Sequence, residues 1–348
     1  MSSRTVIKYI FVVIAVIFVI TGIKISAVYR NIYGKNIKTP ENKDIYLYIK
    51  TGSGYDDVIA QLNSLQIIKN KETFTWAAEK KNYSSHIHPG RYRIRNNMSN
   101  NELLNILRAG LQEPVNVVVN SVRTVDDLAE KVSDQIEAEK DDIILLLKDD
   151  AILKHYGFNL YTIPGMFVPN TYEFWWNTDA EGFLDRMYKE YDHFWNSEKK
   201  RKAEEINLTP NQVITLASII ISETNKTDEY RRIAGVYMNR LKTGMKLQAD
   251  PTVKFALNDF ERQRILTRDI DVDSPYNTYK FYGLPPGPIA IPDMRAIDAV
   301  LNYERNDYLY FCAKEDFSGY HNFARTLEQH NKNARLYQRA LNRQRIMK

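Results

Sequence analysis

Thr209-Pro210-Asn211-Gln212-Val213-Ile214-Thr215-Leu216-Ala217-Ser218-Ile219-Ile220-Ile221-Ser222-Glu223 is the stretch that decides how this chain is read. Thr209 and Gln212 have the spacing of a capping box, and Pro210 falls at the first helical position. The residues that follow are apolar nearly all round, so the helix belongs in a core rather than on a surface. Glu223 stands at its far end, four residues after Ile219 and three after Ile220, and shares a face with them. A carboxylate there is poorly solvated and lies near the negative end of the helix dipole. Both effects favour its protonated form. A glutamic acid that stays protonated near neutral pH can act as a general acid. The plainer reading is a helix-end Glu that reaches solvent or pairs with Lys226 or Arg231.

Outward from this helix the chain has 348 residues, 44% of them hydrophobic and 26% charged, which is a globular composition of two or three domains. Cys312 is the single cysteine, so an internal disulfide and a cysteine metal cluster are both excluded. It lies in the strand-like run Tyr308–Ala313 and reads as an inert thiol. The net charge of +5 is unevenly placed. Residues 1–43 carry +6 and residues 329–348 another +6, which leaves −7 on the 285 residues between. That distribution argues against a nucleic-acid groove across the body. His86-x-His88 lacks a third ligand at useful spacing and reads as a turn, so no metal is expected. Walker, Gly-x-Ser-x-Gly and dinucleotide-binding signatures are absent.

Val6–Val28 is an apolar stretch of 23 residues if Lys8 and Lys24 snorkel. As a helix it reaches ~34 Å, enough to cross a hydrocarbon core of ~30 Å. No small-x-small site follows it cleanly, which favours an uncleaved anchor over a signal peptide. Arg4 and Lys8 precede the span while Lys24, Arg30, Lys35 and Lys38 follow it, so charge alone leaves orientation open. We divide the chain into a tip and anchor at 1–30, a linker at 31–43, a small α+β domain at 44–113 and a larger α+β domain at 114–348. The small domain reads strand–helix–helix–strand, with alternation at Ile45–Ile49, helical spacing at Val58–Leu65 and Phe74–Ala78, and a strand at Arg91–Ile94. Its last helix opens on the capping box Ser99–Glu102 and closes at Gly110. Val115–Val119 reads as a strand, and Val125–Ile136 and Asp141–Lys154 as helices. Asn331–Lys348 spaces Leu336, Ala340 and Leu341 helically among cations and reads as a solvated docking helix.

Further motifs carry a resemblance. Leu216–Thr224, Val236–Leu241 and Met245–Val253 are similar to the motifs of the endolytic murein transglycosylases, the MltG/YceG-like family. So are Ser274-Pro275-Tyr276-Asn277-Thr278-Tyr279 and Gly283–Ala290, the most specific signature. Pro169–Phe174, Tyr308–Phe311 and His321-x-Phe323 match in order, so the resemblance spans residues 164–331. It also covers the small domain, which resembles a LysM-like glycan-binding scaffold. The departures are Ile221 where the family often has a second Glu, Pro164-Gly165 for Glu-Gly, Asn170 for Asp, and Ile291-Pro292-Asp293 for Asn-Pro-Gly.

The resemblance implies an α+β lyase that cleaves the β-1,4 bond between N-acetylmuramic acid and N-acetylglucosamine in nascent strands. Its products would end in 1,6-anhydro-N-acetylmuramic acid. Glu223 would be its only catalytic carboxyl, first as acid and then as base. Asn170, Tyr172, Asn239, Gln248, Asp250, Tyr276, Asn277 and His321 would line the sugars. Asp250-Pro251 also reads as a helix N-cap followed by Pro at N1. Pro285–Pro288 would stiffen the cleft wall. No cofactor is implied. The substrate would be peptidoglycan, and peptidoglycan polymerases or the elongation machinery would be protein partners. The body would lie on the outer side of a bacterial cytoplasmic membrane. A hydrolytic muramidase and a catalytically silent peptidoglycan-binding scaffold are the alternatives.

Overall fold

The computed structural model describes residues 3–120, 122–262 and 265–343. Helix α1 runs Ser3–Tyr33. Its Ile10–Tyr33 segment is long and apolar enough to cross a membrane, with a mean hydropathy of 2.6 and none of it buried. The remaining chain is mixed α+β and divides into two compact units. One unit holds residues 1–115 and 173–178, the other 116–172 and 179–348.

In the first unit β1 (Ile45–Ile49) pairs antiparallel with β2 (Gly90–Ile94), with Leu47 opposite Tyr92. Between them come α2 (Tyr55–Ser64) and α3 (Lys71–Lys80), and α4 (Asn100–Arg108) follows β2. The inward faces are those the alternation and helical spacing predict: Leu47, Ile49, Val58, Leu62, Phe74 and Leu104 are fully buried. Ser99 and Glu102 exchange both bonds of the capping box. Gly110, at φ +64°, lets the N–H groups of Gly110 and Leu111 reach back to Leu107 and Ile106.

The expected linker is where the structure departs from the sequence reading. Helix α1 continues to Tyr33, and the residues after it are packed rather than solvated. Ile37 is wholly buried and bridges to Ile68. Asn36 donates to the Asn70 carbonyl and the Asn100 side chain, both at 2.8 Å, and accepts from the Asn70 N–H at 2.8 Å. One apolar residue among polar neighbours is too short a signal for periodicity to register, yet it fills a core position.

The second unit opens within β3 (Val115–Val119), from its second residue, and continues with α5 (Val125–Ser133), α6 (Lys140–Lys148) and α7 (Asp150–His155). The helix expected over Asp141–Lys154 is broken at Asp149. That residue is extended, and its side chain caps α7 by accepting from the N–H groups of Ala151 and Ile152. Next come β4 (Asn170–Phe174), which pairs with β3, then α8 (Ala180–Phe194) and α9 (Ser197–Glu205). The decisive helix is α10 (Pro210–Glu223), followed by α11 (Tyr230–Lys242), α12 (Asp250–Ala256) and α13 (Met294–Leu301). An antiparallel hairpin of β5 (Tyr310–Ala313) and β6 (His321–Ala324) leads into α14 (Leu327–Arg343), which packs on both strands. Residues 344–348 of the expected C-terminal helix lie outside the described residues.

Helix α10 is the axis of this unit. Val213, Leu216, Ala217, Ile219 and Ile220 are all buried, in one core with Ile233, Tyr237, Ala296 and Val300. Around it pack α9, α11, α12 and α13. The Thr209–Gln212 capping box forms in both directions, with Pro210 inside it. A helix enclosed on so many sides fixes the position and direction of whatever its last residue carries.

Candidate active site

Glu223 ends α10 at the wall of a cleft of about 470 Å³, shared with Tyr237, Arg240, Gln248, Asp250, Tyr279 and His321 among others. The Tyr237 hydroxyl donates to Glu223 Oε1 at 2.7 Å. Tyr237 lies on the buried face of α11 and is 1% exposed, so its hydroxyl needs a partner and finds it in the carboxyl. Burial pushes the Glu223 carboxyl up to about 7, and the nearby Asp250 carboxylate adds to the rise. The Tyr237 hydrogen bond and the cations Lys254 and Arg240 oppose it. Because Oε1 is engaged by Tyr237, Oε2 is the oxygen left to carry the acid proton. Burial and the adjoining Glu223 charge hold the Tyr237 phenol well above its ordinary range, so it stays a donor.

Asp250 faces the same cleft from the first turn of α12. The N-cap is Ala249, not Asp250, and the Asp250 carboxylate accepts from the Tyr279 hydroxyl at 2.5 Å. The Ser274–Tyr279 run explains how this pair is positioned. The Asn277 amide donates to the carbonyls of Ile270 and Val272, both at 2.8 Å, and its oxygen accepts from the Tyr279 N–H. Thr278 binds the start of α12 through the Ala249 N–H at 3.0 Å and the Thr252 hydroxyl at 2.8 Å. Its carbonyl takes the Gln248 N–H at 3.1 Å. Gln248 is held at φ +50°, a left-handed conformation that side chains other than glycine seldom adopt.

Arg240 forms the cleft floor. It is 8% exposed and donates to the carbonyls of Leu309, at 2.7 Å, and Leu247, at 2.8 Å. Gln248 Oε1 lies 3.3 Å from the same guanidinium. Burial lowers the pKa of this cation, and backbone dipoles rather than a carboxylate satisfy it. His321, also in the cleft lining, is fixed by Glu229, which accepts from His321 Nδ1 at 2.7 Å and from its N–H at 3.1 Å. Nε2 is therefore the free edge of that ring. His330 of α14 stacks on Tyr310 at 5.3 Å and also lines the cleft.

Of the residues singled out from sequence, Glu223, Gln248, Asp250 and His321 come together here. The others sit elsewhere. Tyr172 is buried, its hydroxyl donating to the Val168 carbonyl at 2.6 Å. Asn170 is exposed and accepts from its neighbour Thr171. Asn239 donates to the carbonyls of Asn306 and Tyr308. That bracket needs Gly235, where a Cβ would stand 2.3 Å from the Glu304 carbonyl oxygen. Tyr276 packs on Phe255 at 4.6 Å, and Asn277 is the internal bracket already described. Sequence reasoning gave no role to Tyr237, Arg240, Tyr279 or His330, and held Glu229 only as a substitute for Glu223. Tyr237 and Arg240 did leave a signal, a phenol and a cation three residues apart on an otherwise apolar helix face. Among the described residues no group of side chains could hold a metal ion. Cys312 also borders the cleft, with burial and Glu315 raising its thiol pKa.

Fold and site together define a mixed α+β protein in which a buried helix presents one protonatable carboxyl to a polar, tyrosine-lined cleft. Residues 47–336 match the model of the YceG-like family. The endolytic murein transglycosylase of Bacillus subtilis (strain 168) is 30% identical over 326 residues, covering 86% of this chain and 88% of that protein. That of Streptococcus pneumoniae serotype 2 (strain D39) is 28% identical over 332 residues, covering 85% of this chain and 59% of that longer protein. A crystal structure of a YceG-like protein from Listeria monocytogenes matches with a TM-score of 0.56 at 28% identity, over 83% of this chain and 98% of that one. The chain belongs to the YceG-like family.

The raised Glu223 pKa has a consequence for stability. Its proton is held to about pH 7 in the folded protein but released near 4.5 once the chain unfolds. The group's favourable contribution is complete below the lower value and lost as pH rises through the higher one. Glu223→Gln is therefore expected to gain stability relative to wild type between about pH 4.5 and 7. The gain should approach ~3 kcal/mol. Paired denaturant titrations across that interval measure it, and parallel pH profiles for the two proteins would contradict the desolvated carboxyl.

Proposed function

We propose that this protein is an endolytic murein transglycosylase that cleaves glycan strands between N-acetylmuramic acid and N-acetylglucosamine, with Glu223 as the one acid/base group. The observation that carries the proposal is a carboxyl near pKa 7 at the wall of a sugar-sized polar cleft, in a chain related to proteins of that name. In the first step the Glu223 proton passes to the glycosidic oxygen as the bond from that oxygen to muramyl C1 breaks. In the second, the Glu223 carboxylate takes the proton of the C6 hydroxyl while O6 bonds to C1. The ring closes as a 1,6-anhydro end, no water is consumed, and Glu223 regains its acid form. An ordinary glycosidase needs a second carboxyl for the nucleophile or the water. Here the sugar's own hydroxyl takes that place, with the advantage of an intramolecular attack. The Asp250 charge beside the cleft favours the positive character developing at C1.

Asp250 also supports a second reading, hydrolysis with that carboxylate activating water. Mass analysis of the digested strands separates the two: anhydro ends for the lyase, reducing ends for the hydrolase. Glu223→Gln is expected to lose cleavage by at least ~10²–10⁴-fold while remaining folded. Wild-type kcat/KM should fall as pH rises through about 7, because the acid form is lost. Substantial cleavage by the folded Gln protein would overturn the assignment.

The apolar helix suits a membrane anchor, the family likeness suits a body outside the cytoplasm, and residues 44–113 suit a LysM-like unit that places the strand without joining the chemistry. Protease added to spheroplasts should then degrade the body, and deletion of 44–113 should weaken strand binding yet leave the same product ends. Protection of the body, or altered ends, would contradict this arrangement.

A further inference from the structure

A second cavity of about 340 Å³ adjoins the catalytic corner, and nothing in the chemistry above uses it. It begins where Glu223 and Asp250 leave off, since Ser222 and Pro251, their chain neighbours, form part of its lining. Its walls are apolar at Ile221, Phe255 and Phe260. Two cations, Arg123 and Lys254, share the lining. The Arg123 guanidinium lies 4.8 Å from the Phe260 ring centroid, within cation–π range. Neither cation has an ion-pair partner among the described residues. Lys254 is half-buried and close enough to Glu223 to act on its carboxyl. The hydroxyl of Ser222 donates to the Ser218 carbonyl at 2.8 Å, which turns its lone pairs outward as acceptors.

Two cations without an ion-pair partner among the described residues, lining one cavity with the apolar side chains of Ile221, Phe255 and Phe260, suit a ligand that is anionic at one end and carries small apolar groups along its length. The strand that occupies the neighbouring cleft carries such a group. Each muramic acid bears a lactyl ether at C3, and that ether is either a free carboxylate or extended by a short peptide with methyl side chains and carboxylates. A muramyl unit held with C1 at Glu223 projects this substituent from the same sugar, toward one side of the scissile bond.

We propose that the Arg123–Lys254 cavity is the subsite for the carboxylate-bearing substituent on the muramyl residue, so that the enzyme selects strands by the charge on that substituent. The inference rests on the transglycosylase reading of the cleft. The chemistry common to both sources of charge is a carboxylate reached through the C3 ether. Bidentate guanidinium contact suits it, with the ammonium as a second charge.

The test is binding to the full-length Glu223→Gln protein, which does not depend on turnover. Three defined strands of equal length are compared: one with peptide stems whose carboxylates are free, one with the same stems fully amidated, and one stripped to the lactyl carboxylate. The free-carboxylate stems are expected to bind about tenfold more tightly than the amidated ones, with salt weakening the difference. Arg123→Gln should bring that ratio close to one, and Arg123→Lys should keep most of it. Tight binding of the stripped strand identifies the lactyl carboxylate as sufficient, whereas weak binding assigns the charge to the peptide, and either supports the subsite. Equal affinity for free and amidated stems, an Arg123→Gln ratio equal to the parent's, or binding of none of the strands would overturn it. Failure of the catalytic reading shows separately, as strands that bind with the expected charge preference but are not cut by the wild-type protein.

Discussion

The structure turns on the enclosure of one helix. From Val213 to Ile220 every residue of α10 is buried, and the helix meets solvent only in its first turn and again as it ends. A carboxyl carried at that point cannot recover its hydration by swinging away, because the backbone beneath it is held on several sides. Desolvation is accordingly the leading cause of the Glu223 shift. The Tyr237 hydroxyl acts against it. A single neutral hydrogen bond at 2.7 Å keeps the ionised form accessible, which the proposed role of acid and then base requires.

The remaining framework reads as a set of brackets that bring distant segments to this helix end. Ser218 is buried within α10 and accepts from the Ile289 N–H at 3.0 Å, fixing the Gly283–Ala290 run against it. Gly287 allows the same run to pass the Tyr161 carbonyl, where a Cβ would stand 1.9 Å from the oxygen. The proline-rich stretch therefore supports the second cavity, through Ile289 and Ala290, rather than the cleft that holds Glu223. Asn277 and Thr278 perform the corresponding task for Asp250 and Tyr279. Much of the most specific signature in the chain is architectural, and its chemistry resides in the one phenol it delivers.

That division explains what could be read in advance. The capping boxes, the strand alternation and the near-continuous apolarity of α10 are local patterns, and each appears as the sequence predicts. Glu223 was legible because its setting is written in the residues just before it. Tyr237, Tyr279 and Arg240 were not, because their roles depend on contacts across 14, 29 and 69 residues of chain. Asn239, Tyr276 and Asn277 show the converse. They belong to motif segments, and their side chains face inward to hold loops together. Ile37 and Asn36 were hidden for a different reason, since one apolar residue in a polar stretch carries no period at all.

The central claim is that Glu223 is a desolvated acid balanced by one hydrogen bond and one neighbouring charge. Site-specific titration of its carboxyl, by carbon-13 NMR of the labelled protein, tests this most directly. A midpoint of about 7 is expected, displaced upward in Tyr237→Phe, which removes the stabilising donor, and downward in Asp250→Asn, which removes the repelling charge. A midpoint near the ordinary 4.5, unmoved by either substitution, would contradict that claim.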